Sequence, residues 1–144
     1  MAPKRIEIGW TGETVMHNLP RYRGLRHMKL TDLSEKLDEL GRPMSVPTLS
    51  AIENGKRRID VDDLVHLALA LDVTPTALMM PEAQRTQELP DAPGSVAWTD
   101  AHDWWAWLVG GNPLWASPST DLHDLETWRR SVNPPWTWKA APNG

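Results

Sequence analysis

The 144-residue chain contains no cysteine, no phenylalanine and a single tyrosine. Without cysteine it has no disulfide framework and no thiol chemistry. No apolar run approaches the ~20 residues that a membrane-spanning helix needs, and the first residues lack the apolar stretch of a signal peptide. We therefore expect a cytoplasmic protein without a membrane partner.

The chain also lacks an excess of basic residues, because its formal net charge is −4 at pH 7. Residues 1–80 hold 11 basic and 11 acidic side chains, whereas residues 81–144 hold 4 and 8, which accounts for the whole net charge. This balance argues against a protein that coats nucleic acid non-specifically. It leaves room for a local basic patch in residues 1–80, since the local field governs attraction to phosphate.

Apolar residues recur at helical spacing up to Met80 and predict five short helices. Pro20 lies inside the first helix and should kink it or delay its start. The predicted helices are Glu13–Arg26, Leu30–Leu40, a third from Ser45 to its end at Gly55, a fourth that opens at Asp60, and a fifth that opens at Thr74-Pro75. In the fourth helix we expect the apolar face to comprise Val61, Leu64, Val65, Leu67, Ala68 and Leu71.

The composition divides the chain into an arm (1–12), a helical domain (13–80), a proline-rich linker (81–95) and a C-terminal helical region (96–144). Eight of the nine tryptophans lie in this last region. It is predicted to contain a helix over Ser95–Val109, with Ala97, Ala101, Trp104, Trp105 and Leu108 on one face. A second helix follows Asp121, with Leu122, Leu125 and Trp128 turned inward. Residues 133–144 carry no helical signal.

The tryptophans allow three interpretations: a small core, a dimer interface, or a surface for a ligand or protein partner. Trp107, Trp136 and Trp138 are the best candidates for exposed contacts. The full set of interface candidates is Trp104, Trp105, Trp107, Leu108, Trp128, Trp136 and Trp138.

Helices 2 and 3 have the pattern of a helix-turn-helix. Leu33 and Leu37 can pack against Leu49 and Ile52, which leaves the start and outer side of helix 3 free to enter a major groove. The basic run Lys56–Arg58 then follows at the end of that helix. Spacing alone leaves a second hypothesis open, namely an ordinary five-helix domain with a solvated basic loop.

Two blocks carry a resemblance to a known family: Thr48–Lys56, and Val61–Val65 together with Leu71–Pro75. They resemble the Cro/C1-type (XRE) helix-turn-helix regulators, phage-repressor-like and of an actinobacterial type, over Leu19–Met80. The resemblance implies an all-α, five-helix lambda-repressor-like domain that binds double-stranded operator DNA. It implies a regulator, most readily a dimeric repressor, with no enzyme activity and no cofactor. The alternative is an antitoxin-like or sigma-factor-binding interaction module that uses the Trp-rich region.

The resemblance also assigns roles to residues. It pairs Arg23 with Glu53, although a solvated Glu53 at the helix end is the alternative. The DNA-binding set comprises Lys29, Leu30, Thr31, Arg42, Ser45, Val46, Pro47, Thr48, Ser50, Ala51, Asn54, Lys56, Arg57 and Arg58. Two features depart from the family: the turn before helix 3 is long, and Val46, Pro47 and Ala51 replace the usual glutamines. We therefore expect modest direct readout, helped by DNA shape and a second subunit.

His102-Asp103 and His123-Asp124 raise the hypothesis of a metal site. Such a site needs three or four convergent ligands, whereas neighbouring residues on a helix diverge. We therefore predict solvated helix surface at both pairs, no metal and no catalytic residues.

Overall fold

The computed structural model describes residues 6–83 and 99–140, and all of the regular structure in these ranges is helical. The chain divides into two compact units, Met1–Glu82 and Ala83–Gly144. The all-α prediction is therefore confirmed. Of the predicted linker, residues 84–95 lie outside the described ranges, as does Ala97. None of the helices within the described ranges has the length and the apolar composition that a membrane span requires.

The first unit contains the five predicted helices. Their bounds are α1 Trp10–Leu25, α2 Leu30–Glu39, α3 Val46–Glu53, α4 Val61–Leu71 and α5 Pro75–Met79. The helix α1 begins three residues before its predicted start and continues through Pro20. Proline removes only one backbone donor, and Val15 and Leu19 beside it are buried, so packing outweighs the local cost.

Polar side chains cap the N-termini of three helices of this unit, as predicted. Ser45 Oγ accepts a hydrogen bond from the Thr48 amide at 3.2 Å, and Thr74 Oγ1 accepts one from the Ala77 amide at 3.0 Å. At α4 the bonds are reciprocal. The Asp63 amide donates to Asp60 Oδ1 at 2.7 Å, and the Asp60 amide donates to Asp63 Oδ2 at 3.0 Å. These caps satisfy amides that the first turn leaves without partners.

The core of the unit lies among all five helices. It comprises Val15, Leu19, Leu33, Leu37, Met44, Leu49, Ile52, Leu67, Ala68, Ala70, Leu71 and Leu78. The predicted apolar face of α4 was wrong at two positions, because Val61 and Val65 are exposed. Residues two apart on a helix point roughly 200° apart, so Val65 faces solvent when Leu67 faces the core.

The second unit contains α6 (Ala101–Leu108), α7 (Leu122–Val132) and a 3-10 turn at Pro135–Thr137. The helix α6 buries Ala101 and Trp104, but Trp105, predicted on the same face, is 40% exposed. The helix α7 forms after Asp121 as predicted, but the inward placement was wrong at Leu122, which is 79% exposed, whereas Leu125 and Trp128 are half-buried. The 3-10 turn was not predicted, because residues 133–144 carry no helical signal in the sequence.

Polar contacts join the loop after α6 to α7. Arg129 Nε donates to the Gly111 carbonyl at 2.6 Å, and its Nη2 donates to Asn112 Oδ1 at 2.7 Å. Asn133 Nδ2 donates to the Gly110 carbonyl at 2.9 Å. These hydrogen bonds position α7 without burying its apolar side chains. Those side chains can therefore remain in contact with solvent.

Candidate nucleic-acid interface

The turn between α2 and α3 spans residues 40–45 and fixes how α3 is presented. Gly41 adopts a positive φ of 79°, a conformation that glycine reaches without a steric cost. Ser34 Oγ donates to the Met44 carbonyl at 2.6 Å, and Met44 is buried. The long turn predicted from the sequence is therefore held to α2 at the end that precedes α3.

The inner side of α3 is buried through Leu49 and Ile52, while its start and outer side remain accessible. Ser45 and Pro47 are exposed, and Val46, Thr48, Ser50 and Ala51 are half-buried. Ser45 Oγ donates to Thr48 Oγ1 at 3.0 Å. This side of the helix therefore offers small apolar groups and hydroxyls, the groups that contact thymine methyls and base edges.

Asn54 directly follows α3 and contacts the outer side of this helix. Its Nδ2 donates to the Ser50 carbonyl at 2.8 Å and to Ser50 Oγ at 3.3 Å. Because a hydroxyl has one donor hydrogen, Ser50 keeps that hydrogen available for a ligand. Asn54 is itself exposed, so it can present its carbonyl oxygen at the same surface.

Arg23 of α1 and Glu53, the last residue of α3, form the pair that the family resemblance implies. Arg23 Nε donates to Glu53 Oε1 at 2.6 Å and Nη2 donates to Glu53 Oε2 at 2.9 Å. The side chains are only 19% and 12% exposed. The hydrogen bond to Glu53 raises the pKa of Arg23. Arg23 Nη1 also donates to the Met28 carbonyl at 3.0 Å, so one guanidinium joins α1, α3 and the turn before α2.

Arg42 was predicted to contact DNA, and the structure places its guanidinium against two carboxylates. Its Nη2 lies 3.0 Å from Asp63 Oδ1 and 3.2 Å from Asp60 Oδ2. The hydrogen bond to Asp63 raises the pKa of Arg42. The amide of Asp63, and then the charge of Arg42, lower the pKa of Asp60. A DNA contact by Arg42 would have to break these interactions, which tie the turn to the start of α4.

The basic run follows α3 directly. Gly55 adopts a positive φ of 71°, and a Cβ atom there would lie 2.8 Å from Met16 Sδ. Lys56, Arg57 and Arg58 after it are all exposed. Arg58 Nη2 donates to the Glu7 carbonyl. The side chains of Lys56 and Arg57 make no hydrogen bond or ion pair with the described residues, although the charge of Arg57 helps to lower the pKa of Asp60.

The start of α2 offers a second cationic position. Lys29 and Thr31 are exposed and Leu30 is half-buried. Asp32 Oδ2 accepts a hydrogen bond from the Lys29 amide at 2.8 Å, so a carboxylate already occupies part of this helix end. No residue of the predicted DNA-binding set is buried.

Sequence reasoning missed the polar contacts that stiffen the unit around α3. Asn18 is completely buried, and its Nδ2 donates to the carbonyls of Leu78 and Met80. Arg26 Nε donates to the Leu71 carbonyl at 3.0 Å, at the end of α4. A signal existed for Asn18, which lies at the helical spacing of the apolar residues of α1.

One group in the second unit could bring metal ligands together. Ligand atoms of Asp100, His102 and Asp103 lie within 4.8 Å of one another, so these neighbours converge more than predicted. The carboxylate of Asp100 caps α6, accepting from the Asp103 amide at 2.8 Å. His102 and Asp103 are exposed. An imidazole and two carboxylates suit a divalent ion, but the capping role and the exposure also suit ordinary helix surface.

Comparison with known proteins bears on the first unit. A family model described as helix-turn-helix matches residues 21–78, which span the end of α1 through α5. Comparison with curated proteins gave no match, and comparison with solved structures gave none. The match covers the turn, α3 and the basic run described above. The match therefore supports the resemblance of residues 21–78 to the Cro/C1-type (XRE) family of helix-turn-helix DNA-binding regulators.

Proposed function

We propose that the protein is a sequence-specific repressor that inserts α3 into the major groove of an operator. The observation that carries this proposal is the accessible start of α3 on a helix held rigidly from behind. Leu49 and Ile52 anchor the helix in the core, and Glu53 is fixed by Arg23. Rigid presentation matters because misplacement of a recognition helix loses base contacts along its whole length.

The side chains of α3 define the kind of sequence it would select. Val46, Pro47 and Ala51 offer only apolar contacts, which favour thymine methyl groups. Thr48 and Ser50 offer hydroxyls that can bond to several bases. None of these side chains makes the bidentate contacts of arginine or glutamine, so we propose that DNA deformability contributes much of the specificity.

Phosphate contacts would come from Lys29 and Thr31 at the start of α2 and from Lys56, Arg57 and Arg58 after α3. Each cation that neutralises a phosphate contributes about −0.9 to the slope of log K against log salt concentration. We propose that the protein acts in the cytoplasm as a dimer, joined through the Trp-rich unit, on two half-sites. Occupancy of the operator would then block polymerase.

The test is selection of sites from a random duplex library at near-physiological salt. A repressor of this kind enriches a two-fold repeat, and Arg57→Gln then reduces affinity and makes the salt slope shallower by about 1. Lys36→Gln on the exposed side of α2 is the matched control and should leave both unchanged. Absence of any enriched sequence would contradict the proposal.

A second candidate function is a protein-interaction module, antitoxin-like or sigma-factor-binding. It is favoured by the solvent-exposed apolar side chains of the second unit, where Trp115 is 59% and Trp136 is 79% exposed. Tryptophan is the residue most often found at the energetic centre of protein interfaces. In this case Arg57→Gln would leave the principal activity intact, whereas Trp136→Ala would reduce it.

A further inference from the structure

A groove of about 230 Å³ lies in the first unit, between the segment before α1 and the segment before α4. Its apolar walls are formed by Ile8, Met16, Ile52 and Ile59. We call it the arm groove. It is smaller than the about 300–1,000 Å³ of drug-sized pockets. A ligand that fills it must therefore be small, with both an apolar and a polar part.

A glycine shapes one wall of the arm groove. A Cβ atom on Gly12 would lie 2.6 Å from Ile8 Cγ2, so glycine allows Ile8 to lie directly on the first turn of α1. The chain before α1 is further held by Arg58, which donates to the Glu7 carbonyl. Residues 6–9, which precede α1, are thus part of the folded unit, and the groove beneath them has defined walls.

The polar side chains that line the arm groove are those of Arg57 and Arg58. Among the described residues, no acidic side chain lines it. Each guanidinium carries five N–H donors. Arg58 uses one of them on Glu7, and Arg57 makes no hydrogen bond or ion pair within the described ranges. An apolar trough with cations at its edge is complementary to a ligand with an apolar body and one anionic end.

We propose that the arm groove binds a small amphiphilic carboxylate. The hydrocarbon chain lies among the isoleucines and Met16, and the carboxylate accepts hydrogen bonds from Arg57 and Arg58. The planar guanidinium fork matches the two oxygens of a carboxylate, and such charge-assisted bonds are stronger than neutral ones.

Binding of this ligand has a consequence that rests on the proposed function. Arg57 and Arg58 are the same side chains that we assign to DNA phosphate. A carboxylate that occupies them weakens DNA binding, and DNA weakens carboxylate binding by the same factor. The arm groove is then an inducer site next to the DNA-contacting loop.

The chain offers a direct probe, because it has only four isoleucines and three of them line the arm groove. The full-length protein is labelled with ¹³C at the isoleucine methyls and titrated with octanoate, with 1-octanol as the neutral control. We expect saturable shifts at Ile8, Ile52 and Ile59, and none at Ile6. Octanoate should bind about fivefold more tightly than octanol, as for a well-placed exposed ion pair.

Two variants and a control test the charge contacts. Arg57→Gln should weaken octanoate binding by about fivefold and leave octanol unchanged. Arg58→Gln also removes the bond to the Glu7 carbonyl, so it should weaken the binding of both ligands, and that of octanoate more. Lys36→Gln, on α2, should change neither. The methyl dispersion of each variant reports that it is folded. Equal affinity for octanoate and octanol, unchanged affinity in both arginine variants, or the absence of saturable shifts at Ile8, Ile52 and Ile59 would overturn the proposal.

The coupling is measured separately, on the operator selected from the duplex library. We expect octanoate to lower operator affinity in the unmodified protein. Octanoate binding in the arm groove without any loss of operator affinity would overturn the coupling. If no operator exists, the proposed function fails, and the methyl titration still decides whether the arm groove binds a carboxylate.

Discussion

Glu53 at the end of α3 accepts two hydrogen bonds from Arg23 of α1, with both side chains mostly shielded from solvent. This contact spans 30 positions of the sequence and fixes the end of α3 that precedes the basic run. Breaking a shielded pair costs more than breaking a surface pair, because the remaining charge loses both its partner and its hydration. The pair should therefore matter for stability as well as for presentation of α3.

Glu53→Gln removes the charge and keeps the shape of the side chain. We expect the free energy of unfolding to fall by about 1–3 kcal/mol, the range for a lost charge-assisted hydrogen bond. Urea denaturation measures it. The matched control is Glu39→Gln, whose partner Lys36 lies 3.7 Å away with both side chains more than half exposed. That change should cost less than about 0.5 kcal/mol, and equal losses in the two variants would contradict the interpretation.

The side-chain amide of Asn18 joins α1 to the end of α5, so its substitution should lower the stability of the first unit. Nδ2 donates to the Met80 carbonyl at 2.7 Å, and Oδ1 accepts from Arg21 Nε at 3.1 Å. Asn18→Asp replaces the donor with a carboxylate oxygen that faces backbone carbonyls. We expect a loss of about 1–3 kcal/mol at neutral pH from unsatisfied and repelled groups.

The same variant should depend on pH in a defined direction. Complete burial and the backbone carbonyls that the introduced carboxyl faces raise its pKa above the unfolded value, against the opposing charge of Arg21, so the folded state favours the protonated form. The loss of stability is then full above the raised pKa and shrinks as the pH falls through it. Asn18→Ala has no titrating group at this position and should show no such recovery. Thermal unfolding of both variants between about pH 4 and pH 8 distinguishes them.

In the unmodified protein, the ionisation of Asp60 should make stability depend on pH in the opposite direction. Its pKa lies below the ordinary value of 3.8, first because of the Asp63 amide and then because of Arg42. Its ionised form therefore contributes stability above that value, which is lost as the pH falls through the lowered pKa. Asp60→Asn keeps the helix cap but removes the charge. We expect this variant to melt at a lower temperature at pH 7, and the difference to vanish below the lowered pKa. A constant difference across the range would contradict this account.

Much of the first unit could be predicted because its signals are local. Leu33, Leu37, Leu49 and Ile52 repeat at helical spacing, and they meet in the core as expected. Ser45 also caps its helix as its position suggested. The contact of Arg42 with Asp60 and Asp63 could not be predicted, because these residues are 18 and 21 positions apart and only the turn geometry brings them together.

The second unit was predicted less well, for a physical reason. Periodicity shows which side of a helix is apolar, but not whether another element covers that side. Leu122 lies on the apolar side of α7, yet it is almost fully exposed. Trp115, which follows no helical pattern, was not among the predicted interface residues, although 59% of it is exposed. Exposed apolar surfaces of this kind can be identified only from the three-dimensional structure.

The exposed apolar side chains of the second unit are also candidates for the proposed dimer interface. If the Trp-rich unit joins two copies, Trp115→Ala combined with Trp136→Ala should raise the dimer dissociation constant at least about tenfold, since tryptophan truncation at an interface costs about 2 kcal/mol or more. Sedimentation equilibrium of the full-length chain measures this constant. Val61→Ala removes an exposed apolar side chain from the first unit and should leave the constant unchanged. A full-length chain that remains monomeric at high concentration would contradict the dimer and favour the interaction module, in which the same tryptophans bind a different protein.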